Sequence, residues 1–163
     1  MFSLQKILLD GSLLTGIASL IILIIMKVNP RIFLHDYPKE IQEAVQPKTE
    51  TEMKLSKLLG IPFLLVLVLT PFFSTLNLKP EIESFGAFFI NAFGVSMVFN
   101  IADWLVLDWL IFCTITPNFM VIPGTKGMKA YKDYAFHFRG FLIGCVISAA
   151  TSLVIAGVVL LIG

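Results

Sequence analysis

Charged side chains are scarce in this chain of 163 residues. Lys, Arg, Asp and Glu make up 14% of it, whereas ordinary soluble domains contain about 25%. The net charge is only +1, so no strong field of one sign attracts nucleic acid. The hydrophobic fraction of 57% excludes an intrinsically disordered chain and an ordinary water-soluble globule.

The motifs of common catalytic and metal sites are also missing. The two cysteines, Cys113 and Cys145, have neither CxxC nor another zinc spacing, so we interpret them as small core residues. The two histidines, His35 and His137, lie more than 100 residues apart. The sequence contains no HExxH, GxSxG or P-loop motif. It therefore predicts no catalytic residue, no metal and no cofactor, and it favours a protein that is not an enzyme.

Four long stretches without any charge stand out instead. They cover residues 11–26, 58–78, 84–102 and 140–163 and have 16, 21, 19 and 24 residues. A helix that crosses a bilayer needs about 20 apolar residues. The sequence therefore predicts an all-α integral membrane protein, a four-transmembrane-helix bundle that forms one membrane domain over residues 1–163.

The boundaries of the four spans follow from charges and helix breakers. Neither proline nor a late glycine interrupts residues 95–116, so the third span is predicted to continue to Thr116 as one helix. The first loop contains a short amphipathic helix near residues 40–45, and Thr49 or Thr51 caps the helix that follows it. The predicted spans are residues 8–27, 58–78, 84–116 and 140–162, joined by loops 28–57 and 117–139.

The distribution of Lys and Arg predicts the orientation of the bundle. Residues 27–57 carry six of them and residues 117–139 carry four, whereas the other side has only Lys6 and Lys79. The positive-inside rule places both loops in the cytoplasm and both termini outside. The Ile- and Lys-rich composition is typical of a bacterial inner (plasma) membrane protein, with the lipid bilayer as its first partner.

Small residues recur every four positions along the fourth span. Gly140, Gly144, Ser148, Ser152 and Ala156 form one stripe, and residues 140–144 are a literal GxxxG. Such a stripe allows another helix backbone to approach closely in lipid. It predicts either internal packing against the first or third span or the contact face of a homo-oligomer.

The third span carries a polar face and a repeated dipeptide. Ser96, Asn100 and Asp103 fall at i, i+4 and i+7, so they share one side of an α-helix. This side is either a polar path in the bundle or, at Asp103, a solvated boundary. Asp-Trp recurs at residues 103 and 108, and in an α-helix five residues turn through about 500°. We therefore expect the two aspartates to point about 140° apart and not to form a carboxylate pair, with the tryptophans as interfacial anchors.

The predicted hairpin of spans three and four brings further polar residues to the same level. Asp103 and Asp108 should lie near His137 and Arg139 at the cytoplasmic end. A salt bridge from Arg139 to either aspartate would remove an uncompensated charge. These four residues, with Ser96 and Asn100, are the candidate polar site.

Residues 99–103 read FNIAD and resemble the FNxAD motif of signal peptidase II, a family of four-span membrane aspartyl proteases. In that family the aspartate pairs with a second one in a GNxxDR-type motif on an earlier span. This sequence has no such motif, and its FNIAD lies in the third span rather than at the fourth. The resemblance covers five residues, so we do not assign the protease activity to this chain.

Three functions are compatible with these features. The small-residue stripe and the missing motifs favour a non-enzymatic membrane component that associates with itself or with a membrane partner. Alternatively, a small oligomeric transporter or channel uses Ser96, Asn100 and Asp103 as its polar path. A third possibility is a cytoplasmic-leaflet enzyme that acts on lipid head groups through Asp103, His137 and Arg139. None of the three involves nucleic acid.

Overall fold

The computed structural model describes residues 4–162 and is built of helices. The chain is 82% helical, and no strand occurs within the described range. The predicted all-α architecture is confirmed in this form: four helices are long and apolar enough to cross a membrane. They are α1 (Leu4–Val28), α3 (Glu50–Leu76), the continuous helix Phe85–Ile115 and α5 (Tyr134–Leu161).

The helix α4 (Phe85–Ala102) is the centre of the bundle, because α1, α3 and α5 all pack against it. Two glycines allow α1 and α4 to approach closely. A Cβ at Gly11 would lie 2.6 Å from Val98 Cβ, and a Cβ at Gly94 would lie 2.8 Å from Ile7 Cγ2. Neither position has room for a side chain, so these glycines set the spacing between the two helices.

The helix α3 begins with a capping box. The Thr49 hydroxyl accepts a hydrogen bond from the Glu52 amide, and the Glu52 carboxylate accepts one from the Thr49 amide. The prediction of a cap at Thr49 or Thr51 is thus confirmed at Thr49. Arg31 Nε donates to Glu52 Oε1 at 2.7 Å and fixes this helix start to the first loop. The helix then continues through Pro62 and Pro71.

The second half of the third long helix is not an α-helix. Residues Asp103–Ile115 form a π-helix of 13 residues that follows α4 without a break. In this geometry a backbone amide donates a hydrogen bond to the carbonyl five residues earlier, as the Thr116 amide does to the Ile111 carbonyl. Thr116 ends the helix in the left-handed region at φ 50°. Lys132 Nζ donates hydrogen bonds to the carbonyls of Cys113 and Thr114, so these two carbonyls of the last turn have hydrogen-bond partners.

The segments 29–49 and 116–133 fold together at one end of the bundle, and we call them the cap. Tyr37 Oη donates to the Met120 carbonyl at 2.8 Å, and Tyr131 Oη accepts from the Ile122 amide at 2.9 Å. The short helix α2 (Lys39–Glu43) turns Ile41 into the same core. The buried side chains of this core are Leu34, Tyr37, Ile41, Phe112, Cys113, Met120, Ile122 and Tyr131. The two loops are therefore a packed part of the fold.

Candidate functional site

A cavity of about 590 Å³ lies at the cap end of the bundle. Residues of all four long helices and of both cap segments line it. At the opposite end, side chains of α3 and α5 share one apolar cluster, which includes Phe72, Leu76, Ile155 and Val159. At the cap end the cavity separates the two helices. Its volume falls in the range of about 300–1,000 Å³ that is usual for sites of small-molecule ligands.

The acidic wall of the cavity is made by the π-helix. Asp103 and Asp108 both line the cavity, and their carboxylates interact electrostatically. The expectation that they point about 140° apart was wrong, because it assumed α-helical geometry. In a π-helix the residue five positions on takes the place that the fourth has in an α-helix, so the two aspartates come to one side.

His137 of α5 is the partner of Asp108. Its Nδ1 donates to Asp108 Oδ1 at 3.1 Å, and the imidazole is 6% exposed. Nε2 is buried and has no hydrogen-bond partner among residues 4–162. Cys113, one further step of five along the π-helix, interacts electrostatically with the same imidazole. The pairing fixes the proton on Nδ1 and joins the π-helix to α5.

The salt bridge predicted for Arg139 is replaced by this pair. Arg139 is exposed and forms none of the ion pairs between described side chains, and it does not line the cavity. Two residues of an α-helix turn through about 200°, so Arg139 and His137 lie on opposite sides of α5. The helix register that turns His137 inward therefore turns Arg139 outward.

The cap contributes a second pair of charges to the cavity wall. Lys48 Nζ donates to Ser56 Oγ at 3.1 Å and to the Ile32 carbonyl. Burial lowers the pKa of Lys48, and the attraction of Asp36 opposes this shift. Burial likewise raises the pKa of Asp36, against the attraction of Lys48 and of His35. The opposite charges of the cap thus partly compensate each other.

Aromatic rings form much of the remaining wall. Trp104 stacks on Phe141 with ring centroids 4.5 Å apart and contacts Trp109 edge to face at 4.8 Å. Trp104 Nε1 is buried without a hydrogen-bond partner in the described chain, whereas Trp109 Nε1 donates to the Tyr134 carbonyl. Of the two tryptophans predicted as interfacial anchors, Trp104 lines the cavity and Trp109 does not. The repeat thus brings Asp103, Trp104 and Asp108 to one cavity, and Trp109 packs against Trp104 outside it.

Asn100 lies one helical turn before the acidic wall, and its side chain packs against the small-residue stripe of α5. Its Nδ2 donates to the Phe141 carbonyl at 3.3 Å and to Cys145 Sγ at 3.4 Å. A Cβ at Gly144 would collide with Asn100 Oδ1, whereas a Cβ at Gly140 meets no atom within 4 Å. Gly144 therefore makes room for the Asn100 side chain, and Gly140 borders the cavity.

The rest of the stripe faces the interior of the bundle. Ser152 and Ala156 are fully buried, and Ala156 packs in one cluster with Phe88 and Ala92 of α4. Ser148 is half-buried. The small-residue stripe of α5 therefore packs inside the bundle, against the third long helix. Association of a second molecule through the same stripe stays a prediction.

The predicted polar face of the third span extends from Asp103 to Asn100 but does not include Ser96. Asn100 and Asp103 line the cavity, but Ser96 does not, and its hydroxyl donates to the Ala92 carbonyl of its own helix. The adjacent buried cluster is apolar and consists of Ile7, Leu14, Ala18, Val95 and Phe99. The cavity is thus closed towards the middle of the bundle by apolar side chains.

A second polar cluster, which the sequence reasoning missed, lies outside the cavity and joins α1, α3 and α4. Asp10 Oδ2 accepts hydrogen bonds from Lys6 Nζ at 2.8 Å and from Ser74 Oγ at 2.5 Å. Asn91 Nδ2 donates to Ser74 Oγ at 3.0 Å and to Thr75 Oγ1 at 3.1 Å. Asp10, an ionisable residue directly before the apolar run 11–26, is the feature of the sequence that indicates this cluster.

Comparisons with known proteins add no assignment, since no protein-family model, curated protein or solved structure matches the chain. Among the described residues no group of three or more His, Cys, Asp or Glu side chains is arranged to hold a metal ion. Any function must therefore be argued from the cavity itself.

Proposed function

We propose that this chain is a multi-pass membrane protein that binds an amphipathic small molecule in its cap-end cavity. One observation carries the proposal: a largely apolar and aromatic cavity of about 590 Å³ has Asp103 and the Asp108–His137 pair on one wall. A lined cavity with a few convergent polar groups is the usual form of a small-molecule site.

Insertion in a membrane is supported by the outer surface of the bundle. Large aliphatic side chains on all four long helices are exposed, among them Leu13, Leu58, Ile115 and Val146 at 60–70%. Such a surface is costly in water and favourable in hydrocarbon. The excess of Lys and Arg in the two loops supports a cytoplasmic cap, with both termini outside, in a bacterial plasma membrane.

The shape of the cavity suggests how an amphiphile would lie in it. Ile22 of α1 and Phe63 and Leu64 of α3 offer an apolar surface to a hydrocarbon tail. The charged groups of the π-helix, α5 and the cap gather around the polar end. A bound molecule would therefore place its head group next to Asp103 and its tail along α1 and α3.

A second candidate function is acid–base chemistry on the head group of this molecule. It is favoured by the convergence of Asp103, Asp108 and His137, which are residue types that transfer protons in enzymes. Asp103 is the group that would contact the reacting atom, because His137 Nε2 is buried and Asp108 already binds Nδ1. Arg139 lies outside the cavity, so it offers no phosphate-binding group there.

The two other functions predicted from the sequence have less support from the contacts. A transport path through Ser96, Asn100 and Asp103 would have to cross the buried apolar cluster that contains Val95 and Phe99. Association through the small-residue stripe competes with its packing against α4. Both stay predictions.

Filling the cavity tests the proposal. Gly140 lines the cavity and has open space at its Cβ, so Gly140→Leu should extend a side chain into the cavity. Gly16 also has open space but lies outside the cavity, so Gly16→Leu is the matched control. Each protein is purified in lipid, and its extract is examined by mass spectrometry for a co-purifying small molecule. We expect one in the wild type and the control, and little in Gly140→Leu.

Two results would contradict the proposal. One is equal recovery of the same molecule from all three proteins. The other is that the wild type yields no bound molecule beyond the lipid of its surroundings.

A further inference from the structure

We infer that the ligand of the cavity carries a positively charged nitrogen, which Asp103 holds beside the rings of Trp104 and Phe141. This inference rests on the proposed function, since it requires a ligand in the cavity. It adds the charge of the ligand and the residues that recognise it.

Three carboxylates line the cavity, and two of them have a basic neighbour of their own. The ionisable side chains that line it are Asp36, Asp103, Asp108, His35, Lys48 and His137. Asp108 is bound to His137 at 3.1 Å, and Asp36 interacts with Lys48 and His35. Each of these two carboxylates therefore has a basic neighbour within the fold.

Asp103 is the carboxylate that remains. Within residues 4–162 it accepts no hydrogen bond and forms no ion pair. It is half-buried and interacts electrostatically with the carboxylates of Asp108 and Asp36 and with His137, which is already paired with Asp108. A carboxylate removed from water is stabilised by a cation in direct contact. A ligand ammonium group would supply that contact.

The aromatic part of the wall fits the same group. Trp104, which follows Asp103 in the sequence, stacks on Phe141 at 4.5 Å, and both rings line the cavity together with Phe63 and Phe136. The faces of such rings attract cations, most strongly for tryptophan. A carboxylate next to aromatic faces is thus suited to an amine that is protonated or quaternary.

An anionic head group finds no comparable partner. Neither Arg31 nor Arg139 lines the cavity, and Arg31 is already bound to Glu52. Lys48 Nζ is bound to Ser56 Oγ and the Ile32 carbonyl. The wall therefore has no arginine to bind a phosphate or carboxylate, and two of the three donors of Lys48 are used within the fold.

Three probes with the same tail separate these cases. Dodecylammonium, 1-dodecanol and dodecanoate are titrated into full-length protein in phosphatidylcholine nanodiscs, with empty nanodiscs as the blank. The protein has two tryptophans, and Trp104 in the cavity wall makes their fluorescence a direct reporter of occupancy. We expect dodecylammonium to bind about tenfold or more tightly than 1-dodecanol, because a charge-assisted contact replaces a neutral one.

Variants assign this preference to one residue. Asp103→Asn should reduce the affinity for dodecylammonium to that for 1-dodecanol and leave the alcohol unaffected. Glu43→Gln removes the same charge from an exposed position of the cap outside the cavity, so it should keep the preference.

The outcomes distinguish the inference from the proposed function. If the wild type binds the alcohol or the carboxylate as well as the amine, the cavity binds amphiphiles but the inference is wrong. A preference that survives in Asp103→Asn also overturns it. If no probe binds, the proposed function fails as well. The selectivity of the wild type decides the inference even where Asp103→Asn does not fold.

Discussion

His137 Nδ1 lies 3.1 Å from Oδ1 of Asp108 and thereby joins α5 to the π-helix across the end of the cavity. The contact satisfies one carboxylate of the acidic wall and leaves Asp103 without a direct partner among the described residues. It also holds the imidazole in one orientation, with Nε2 away from solvent. The pair is thus a structural support of the site, and its energy can be measured.

The first prediction concerns the coupling of this pair. Asp108→Asn and His137→Gln should each lower the stability of the protein, and the double variant should lose less than the sum. We expect a coupling free energy of roughly 1–3 kcal/mol, as for hydrogen bonds that involve a charged group. Reversible unfolding in mixed micelles measures it. Arg139→Gln, at an exposed position, is the control, and additive effects of the two changes would refute the coupling.

The second prediction concerns the contact of α5 with α4. A methyl group at Gly144 collides with the Asn100 side chain, which is fixed by its bonds to Phe141 and Cys145. Gly144→Ala should therefore destabilise the protein by about 1–3 kcal/mol, as overpacking does. Gly140→Ala has the same chemistry in open space and should not lower the stability. Equal thermal midpoints for the two variants would show that the Gly144 contact is not tight.

The third prediction concerns pH and Asp36. Burial raises the pKa of Asp36 above its ordinary value of 3.8. A raised pKa means that the folded state binds the proton of Asp36 more tightly than the unfolded state does. The resulting contribution to the free energy of unfolding is therefore complete below pH 3.8, and it is lost as the pH rises through the folded-state pKa. Asp36→Asn removes this titration. The stability of the variant relative to the wild type should therefore increase between pH 3.5 and 8.

Thermal unfolding of both proteins in the same detergent at several pH values between these limits tests this sign. A difference that does not change with pH, or that changes in favour of the wild type as the pH rises, would contradict it.

The fourth prediction concerns orientation. With the cap in the cytoplasm and an even number of spans, alkaline phosphatase fused after Gly163 should be active in a bacterial host, because it needs the oxidising outer side. A fluorescent protein fused after Lys126 should be bright, because this residue lies in the cap. The reverse pattern would invert the proposed topology.

The parts of the fold that sequence predicts are those that depend on local composition. The four apolar runs predict the four long helices, because the length of a run and the absence of charge are properties of neighbouring residues. The cap at Thr49 follows likewise from a side chain and an amide three residues apart. The fourth span was predicted to begin at residue 140, whereas α5 begins at Tyr134, directly after its N-cap Asp133.

The candidate site was predicted in its members but not in its arrangement. Asp103, Asp108 and His137 were all expected at one end of the bundle, and they line one cavity. Their contacts were not expected, because the choice of His137 over Arg139 depends on the rotation of α5 about its own axis. Packing against α4 at Gly144 and Ala156 fixes that rotation.

The sequence alone determined how many long apolar helices the chain forms, because hydropathy and breakers act over short distances along the chain. Only the tertiary structure decided that Asp103–Ile115 is a π-helix. The five-residue repeat of Asp-Trp is visible in the sequence, but its meaning depends on the hydrogen-bond register of the backbone. That register is set where the side chains of this helix pack against α5 and the cap, so the acidic wall of the cavity exists only in the folded molecule.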